Sequence, residues 1–119
     1  MNLDQTTIAR LAAHLESCEL DAKDTLKITD EYPDMDWDDA YAIQDEIRQR
    51  KIARGSKIIG LKAGLTSHAK MKQMNVETPV FGFLADYYAV PEGGECNVPG
   101  LIHPKVEPEI AFVTKRALK

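Results

Sequence analysis

Apolar residues recur twice at helical spacing in the first half of the chain, and then give way to short runs with the period of a strand. Ile8, Leu11, Ala12 and Leu15, followed by Cys18 or Glu19, lie behind Asp4 and Thr7 and predict a helix over residues 4–20. Residues 21–35 are mixed, and Pro33 disfavours helix at Tyr32. A second helix is the clearest element. Asp36 caps it, with Asp39 three residues on, and Ala40, Ile43, Ile47 and the stem of Lys51 line one side. Acidic residues crowd its start (Asp34, Asp36, Asp38, Asp39) and basic residues its end (Arg48, Arg50, Lys51, Arg54), which complements the helix dipole at both termini. Solvation and this dipole account for the basic cluster; an anion-binding patch is the competing reading. Gly55 supplies the stop.

After Gly55 the period changes. Residues 57–64 read as a short apolar strand whose glycines, Gly60 and Gly64, mark a close backbone approach or a bend. Residues 66–75 predict a helical turn or two anchored by Met71 and Met74, and Pro79 ends it. Val80–Leu84 and Tyr87–Val90 read as short strands, Pro91–Gly94 as a turn, and Ile110–Val113 as a last strand. The expected organisation is α+β: a helical region over residues 1–56, then the start of a β-rich unit over 57–119 that is incomplete by the usual size of sheets. First strands without partners predict marginal stability.

Composition narrows the function. The chain has 119 residues, 44% of them apolar, enough for one modest core. A net charge of -4 argues against general nucleic-acid binding, which needs a basic face. No stretch is long and apolar enough to span a bilayer, and no basic segment precedes an apolar one at the N-terminus. Cys18 and Cys96 lack CxxC spacing and read as reduced thiols, so a cytoplasmic protein is expected.

Two places carry candidate chemistry. In His103-Pro104-Lys105-Val106-Glu107-Pro108-Glu109-Ile110, an extended backbone puts Glu107 and Glu109 on one side, roughly 7 Å apart. Carboxylates that close repel unless a positive group lies between them, and hard oxygen donors select Mg²⁺ or Mn²⁺. The solvated side of an edge strand, neutralised by Lys105, is the competing reading. A metal would also want a third acid from elsewhere. In Gly60-Leu61-Lys62-Ala63-Gly64, a lysine sits in an apolar, glycine-flanked strand. Lys62 either lies on the strand's exposed side or faces a pocket, where it would meet an anionic substrate or move a proton. His68 reads as the start of a short helix. Trp37 reads as a packing anchor, and Tyr87 and Tyr88 as packing and surface residues.

These motifs carry a resemblance. GLKAGLTS over residues 60–67, Ala69-Lys70-Met71 with Gln73-Met74, Val76-Glu77-Thr78-Pro79, Phe81-Gly82-Phe83-Leu84 and HPKVEPEIAF over residues 103–112 stand in the order found in the hydratase/decarboxylase family of the meta-cleavage pathway for aromatic compounds, a relative of the fumarylacetoacetate hydrolases. The likeness runs through essentially the whole chain. Ala69-Lys70-Met71 and Asp86-Tyr87-Tyr88 look more like the decarboxylase branch than the hydratase branch. The resemblance implies a mixed β-sheet or barrel of the fumarylacetoacetate hydrolase type, of which this chain is the N-terminal part. It implies Glu107 and Glu109 as ligands of Mg²⁺ (or Mn²⁺), Lys62 as a catalytic residue of the substrate pocket, and a third acidic ligand and a β-rich closing portion beyond Lys119. The implied reaction is metal-dependent decarboxylation of a small 2-oxo dicarboxylate, 2-oxo-3-hexenedioate. The alternatives are hydration of 2-oxopent-4-enoate and an inactive fragment that at most binds a partner. Homo-oligomers, and a complex of decarboxylase with hydratase, are the implied assemblies.

Overall fold

The computed structural model describes residues 1–117. The end of the expected β-rich region, residues 118 and 119, lies outside them. Helix α1 spans Gln5–Leu20, as the apolar spacing predicts. Asp4 caps it, its carboxylate accepting from the Thr7 N–H at 2.7 Å, and this bond holds the Asp4 carboxyl below the usual range. A short helix α2, Ile28–Glu31, interrupts the mixed stretch. Helix α3 spans Trp37–Ala53 and opens with a reciprocal capping box: Asp39 N–H donates to the Asp36 carboxylate and Asp36 N–H to the Asp39 carboxylate. Gly55 follows at φ +97°, a left-handed position that glycine occupies without strain.

The core lies between α1 and α3. Ile8, Leu11, Ala12 and Ile43 are buried there, with Leu3, Leu15, Ile28, Tyr32, Met35, Ala42 and Ile47 packed around them. The two helices run in the same direction, because Asn2 and Leu3 meet Asp39 at one end while Glu16 and Glu19 meet Arg50 and Lys51 at the other. The sequence places Ala40 on the inner face of α3; it is exposed, and Asp39 is buried in its stead. The reason is polar. The Asp39 carboxylate accepts the backbone N–H groups of Asn2, Leu3 and Asp36. Burial alone would push this carboxyl up, but those donors overcome it and hold it at about 2.

Strands β1 (Ile58–Gly64) and β2 (Val80–Ala85) form an antiparallel pair joined by helix α4 (His68–Gln73). Lys62 lies opposite Gly82 and Gly64 opposite Val80, with an irregularity at Ile59. A Cβ on Gly64 would come within 3.1 Å of the Val80 side chain, the close approach that the glycine permits. Ser67 caps α4, so His68 opens that helix. The outer edge of β2 is covered by α3: the Phe81 N–H donates to the Tyr41 hydroxyl at 3.2 Å, and its carbonyl accepts from Gln44 at 3.0 Å. Among the described residues β1 pairs with β2 alone.

Three further expectations fail. The segment expected as a strand at Tyr87–Val90 contains a 3-10 turn, Asp86–Tyr88. The Ala89 N–H closes it on the Asp86 carbonyl, and both tyrosine hydroxyls are drawn to Glu19. Ile110–Val113 forms no strand; residues 101–117 hold neither helix nor strand, because no neighbouring strand offers the segment a ladder. Trp37 is no buried anchor. It is half exposed and leans on Tyr41, with ring centroids 6.3 Å apart.

Candidate active site

Strand β1 presents Lys62 to the outside of the sheet, opposite a residue without a side chain. Its ammonium donates to Glu109 Oε1 at 2.8 Å, across 47 residues of sequence. The hydrogen bond to Glu109 raises the Lys62 pKa against an opposing desolvation effect, and the charges of Glu109 and Glu107 add to the rise. All three sequence-selected residues therefore share one neighbourhood, with Lys62 and Glu109 in direct contact and each about half exposed. His103, at the other end of the motif, takes a left-handed φ of +45°, so the extended alternation does not begin there. Its ring nitrogen instead lies 2.8 Å from Asp24, in the connection after α1.

Glu107 and Glu109 offer hard oxygen donors, the donor type that a small divalent ion takes. Mg²⁺ in particular takes one or two protein carboxylates and completes its shell with water and substrate. Among the described residues no group of three or more His, Cys, Asp or Glu side chains stands close enough to hold a metal by itself. Two carboxylates alone would leave such an ion to complete its shell with water and substrate.

The sequence reading missed a second polar constellation, at the C-terminal ends of α1 and α3. Lys51 is fully buried; its ammonium donates to Glu19 at 2.7 Å and to the Tyr87 hydroxyl at 2.5 Å. The Tyr87 hydroxyl donates in turn to Glu19 at 2.5 Å, and that of Tyr88 at 3.2 Å. Burial pushes the Glu19 carboxyl up, but the bonds from Lys51, Tyr87 and Tyr88 more than offset this, and its pKa is lowered. Burial, then the neighbouring Glu19, raise Tyr87 to about 12. Beside this group Glu16 is buried, with Arg50 and Arg54 each 2.7 Å from one of its oxygens. Arg54 approaches as a charge without a well-directed hydrogen bond, since Glu16 Oε1 has no such partner. The basic end of α3 is thus more than a solvated dipole complement. The signal was the facing acids of α1, Glu16 and Glu19, visible only once the two helices are known to run side by side.

An apolar groove of about 430 Å³ lies between α3 and the sheet, lined by residues such as Tyr41, Arg48, Leu61 and Phe83. Lys62, Glu107 and Glu109 do not line it. Cys18 and Cys96 are free thiols; Cys18 Sγ is 3.8 Å from the His14 ring. No helix of the described residues is long and apolar enough to cross a membrane.

The chain resembles the N-terminal part of the hydratase/decarboxylase enzymes. The particular likeness is to 4-oxalocrotonate decarboxylase. The chain is 57% identical over 116 residues to that enzyme from Pseudomonas sp. (strain CF600), a match covering 98% of this chain and 44% of the relative. It is 43% identical over 91 residues to 2-keto-4-pentenoate hydratase of Paraburkholderia xenovorans (strain LB400), covering 76% of this chain and 34% of the relative. The solved 4-oxalocrotonate decarboxylase of Pseudomonas putida G7, complexed with calcium and acetate, superposes with a TM-score of 0.84 at 54% identity over 86% of this chain and 39% of that one. The same enzyme complexed with magnesium and adipate gives 0.74 at 56% identity, over 76% and 34%. The chain therefore spans less than half the length of the relatives it matches. No family model matches it.

Proposed function

We propose that this chain supplies the N-terminal part of a metal-dependent carboxy-lyase that converts 4-oxalocrotonate (2-oxo-3-hexenedioate) to 2-oxopent-4-enoate, a step in the breakdown of aromatic compounds. The observation that carries this reading is the 2.8 Å contact between Lys62 and Glu109, which gathers the candidate residues from two distant parts of the sequence. Glu107 and Glu109 would hold Mg²⁺ or Mn²⁺, the donor chemistry that hard oxygens favour. When bound, such an ion supplies Lewis-acid polarisation and a template for the 2-oxo acid.

In this reaction the C5–C6 bond breaks and C6 leaves as CO₂. The electron pair moves through C4 and C3 to the C2 oxygen, and a proton later returns to carbon. Lys62 is charged across the neutral range, since its pKa is raised. Its N–H groups would donate to the substrate's C1 carboxylate or to the C2 oxygen, where charge collects. Residues 57–119 are then the first part of the catalytic β-rich unit, and residues 1–56 the helical support beside it. The reading extends to a cytoplasmic homo-oligomer in complex with the pathway hydratase. Decarboxylation is favoured over hydration because identity to the decarboxylase exceeds identity to the hydratase, 57% against 43%.

One observation favours a second reading, a fragment that acts only by binding. Val106, Ile110, Phe112 and Val113 are almost wholly exposed, and an uncovered apolar segment invites association.

The test is CO₂ release from 2-oxo-3-hexenedioate by the chain at saturating Mg²⁺, against an EDTA control and Glu107→Gln. Metal-dependent release that falls in the variant is the expected result. Release that ignores both EDTA and the substitution would overturn the assignment of the metal ligands. No release at all would favour the binding reading for this chain.

A further inference from the structure

The contact that gathers the site also sets a limit on it. Lys62 Nζ lies 2.8 Å from Glu109 Oε1, the distance of a charge-assisted hydrogen bond between an ammonium and a carboxylate. Lys62 stands on a fixed strand, opposite Gly82, and nothing on the facing strand draws the side chain away. Glu109 sits in a segment without regular structure, and among the described residues Lys62 is the cation it pairs with. We propose that Lys62 is an internal counter-ion for Glu109, which a divalent ion must displace, so that this lysine sets the metal affinity of the substrate-free site as well as meeting the substrate. The inference rests on the proposed metal reading of Glu107 and Glu109.

The physical argument is competition for one carboxylate. While the ammonium holds Oε1, a divalent ion either shares Glu109 with a cation next to it or expels that cation into solvent. Both cost free energy that an uncharged residue at position 62 would not impose. Arriving anionic substrate supplies the opposite sign. Its carboxylate gives the released ammonium a new partner, so metal and substrate favour each other's binding through the same side chain. The pair is half exposed, so the effect is modest and falls with ionic strength.

Binding of Mn²⁺ to the 119-residue chain, read from the loss of the free-ion paramagnetic resonance signal at low salt without substrate, tests this directly. Lys62→Met is expected to bind Mn²⁺ roughly fivefold more tightly than the unaltered chain. Lys62→Gln should behave likewise, Lys62→Arg should stay near the unaltered chain, and added NaCl should narrow the gap. Glu109→Gln should weaken binding. If Glu109→Gln weakens binding but Lys62→Met and Lys62→Gln leave it unchanged or looser, the counter-ion role is wrong and the metal reading survives. If Glu107→Gln and Glu109→Gln both bind as the unaltered chain does, the metal reading fails and this inference falls with it.

Discussion

The helical region and the segment that bears the two glutamates handle the same two problems, apolar surface and charge, in opposite ways. Between α1 and α3, Ile8, Leu11, Ala12 and Ile43 are buried, and the charges drawn in with them are paired: Asp39 with backbone N–H groups, Lys51 with Glu19, Glu16 with two arginines. In residues 101–117 the apolar side chains stand in solvent, Val106 and Val113 at 98% exposure and Phe112 at 90%. There the Lys62–Glu109 ion pair and the His103–Asp24 contact are exposed as well. The difference follows from what each kind of element needs. A helix closes its own hydrogen bonds and wants only a partner for one face. A strand leaves both edges open until another strand arrives.

The sharpest way to break this comparison is at the buried ammonium. Lys51 is fully buried, and Glu19 is its charged partner. Removing one member of a buried pair leaves the other uncompensated, at a cost of about 3–5 kcal/mol. Glu19 is itself partly exposed, so Glu19→Gln should fall near the low end, about 3 kcal/mol in a urea titration followed by helical circular dichroism. A change within about 0.5 kcal/mol would mean that water reaches Lys51, and that the helical region does not bury its charges as described.

A second test takes the apolar side of the same contrast. Leu11 lies against Ile43 in the core at 2% exposure. Leu11→Ala should cost roughly 2–4 kcal/mol, the loss of buried methyl groups plus a cavity that α1 and α3 cannot fully close. Thermal denaturation would show the loss as a lowered midpoint.

What the sequence made legible divides along the same line. The first helix, the Asp36–Asp39 capping box and the stop at Gly55 were readable because their signals lie within a few residues of one another. The β1 and β2 strands were readable from their apolar runs. The Lys51–Glu19–Tyr87 group was not, because it joins three elements, and the tyrosines enter it only through a turn that replaces the expected strand at Tyr87–Val90. The segment Ile110–Val113 has strand-forming composition and yet is no strand. Composition states a preference, and a ladder needs a neighbour. For the site, Lys62, Glu107 and Glu109 were picked out by residue type and by resemblance. That Lys62 and Glu109 touch is information that only the three-dimensional arrangement carries.

Acid should separate the regions in a further way. The Asp39 carboxyl is held at about 2 in the folded chain, against an unperturbed value near 3.9. A carboxyl depressed by folding contributes stability that is present above its unfolded pKa and is lost as pH falls through the folded one. The contribution of Asp39 is therefore complete above about pH 5 and drains away between roughly pH 4 and 2. Asp39→Asn should be less stable than the unaltered chain at pH 7, and the gap should close over that acid window. A gap that stays constant down to pH 2 would mean that the N–H groups of Asn2, Leu3 and Asp36 do not favour the charged carboxylate.

The smallest expected effect is the most telling about the exposed segment. Phe112 carries a large apolar side chain, and in a packed position its truncation would cost roughly 3–5 kcal/mol. At 90% exposure it has almost no buried area to lose. Phe112→Ala should then change the stability of this chain by no more than about 0.5 kcal/mol, within the range of ordinary surface substitutions. The same variant should lower self-association in sedimentation if the apolar residues 106–113 are what joins copies together. A loss of 2 kcal/mol or more at a protein concentration where the chain is monomeric would mean that Phe112 packs within its own chain, and the contrast between a self-sufficient helical pair and an unpartnered segment would fail at the residue that states it most strongly.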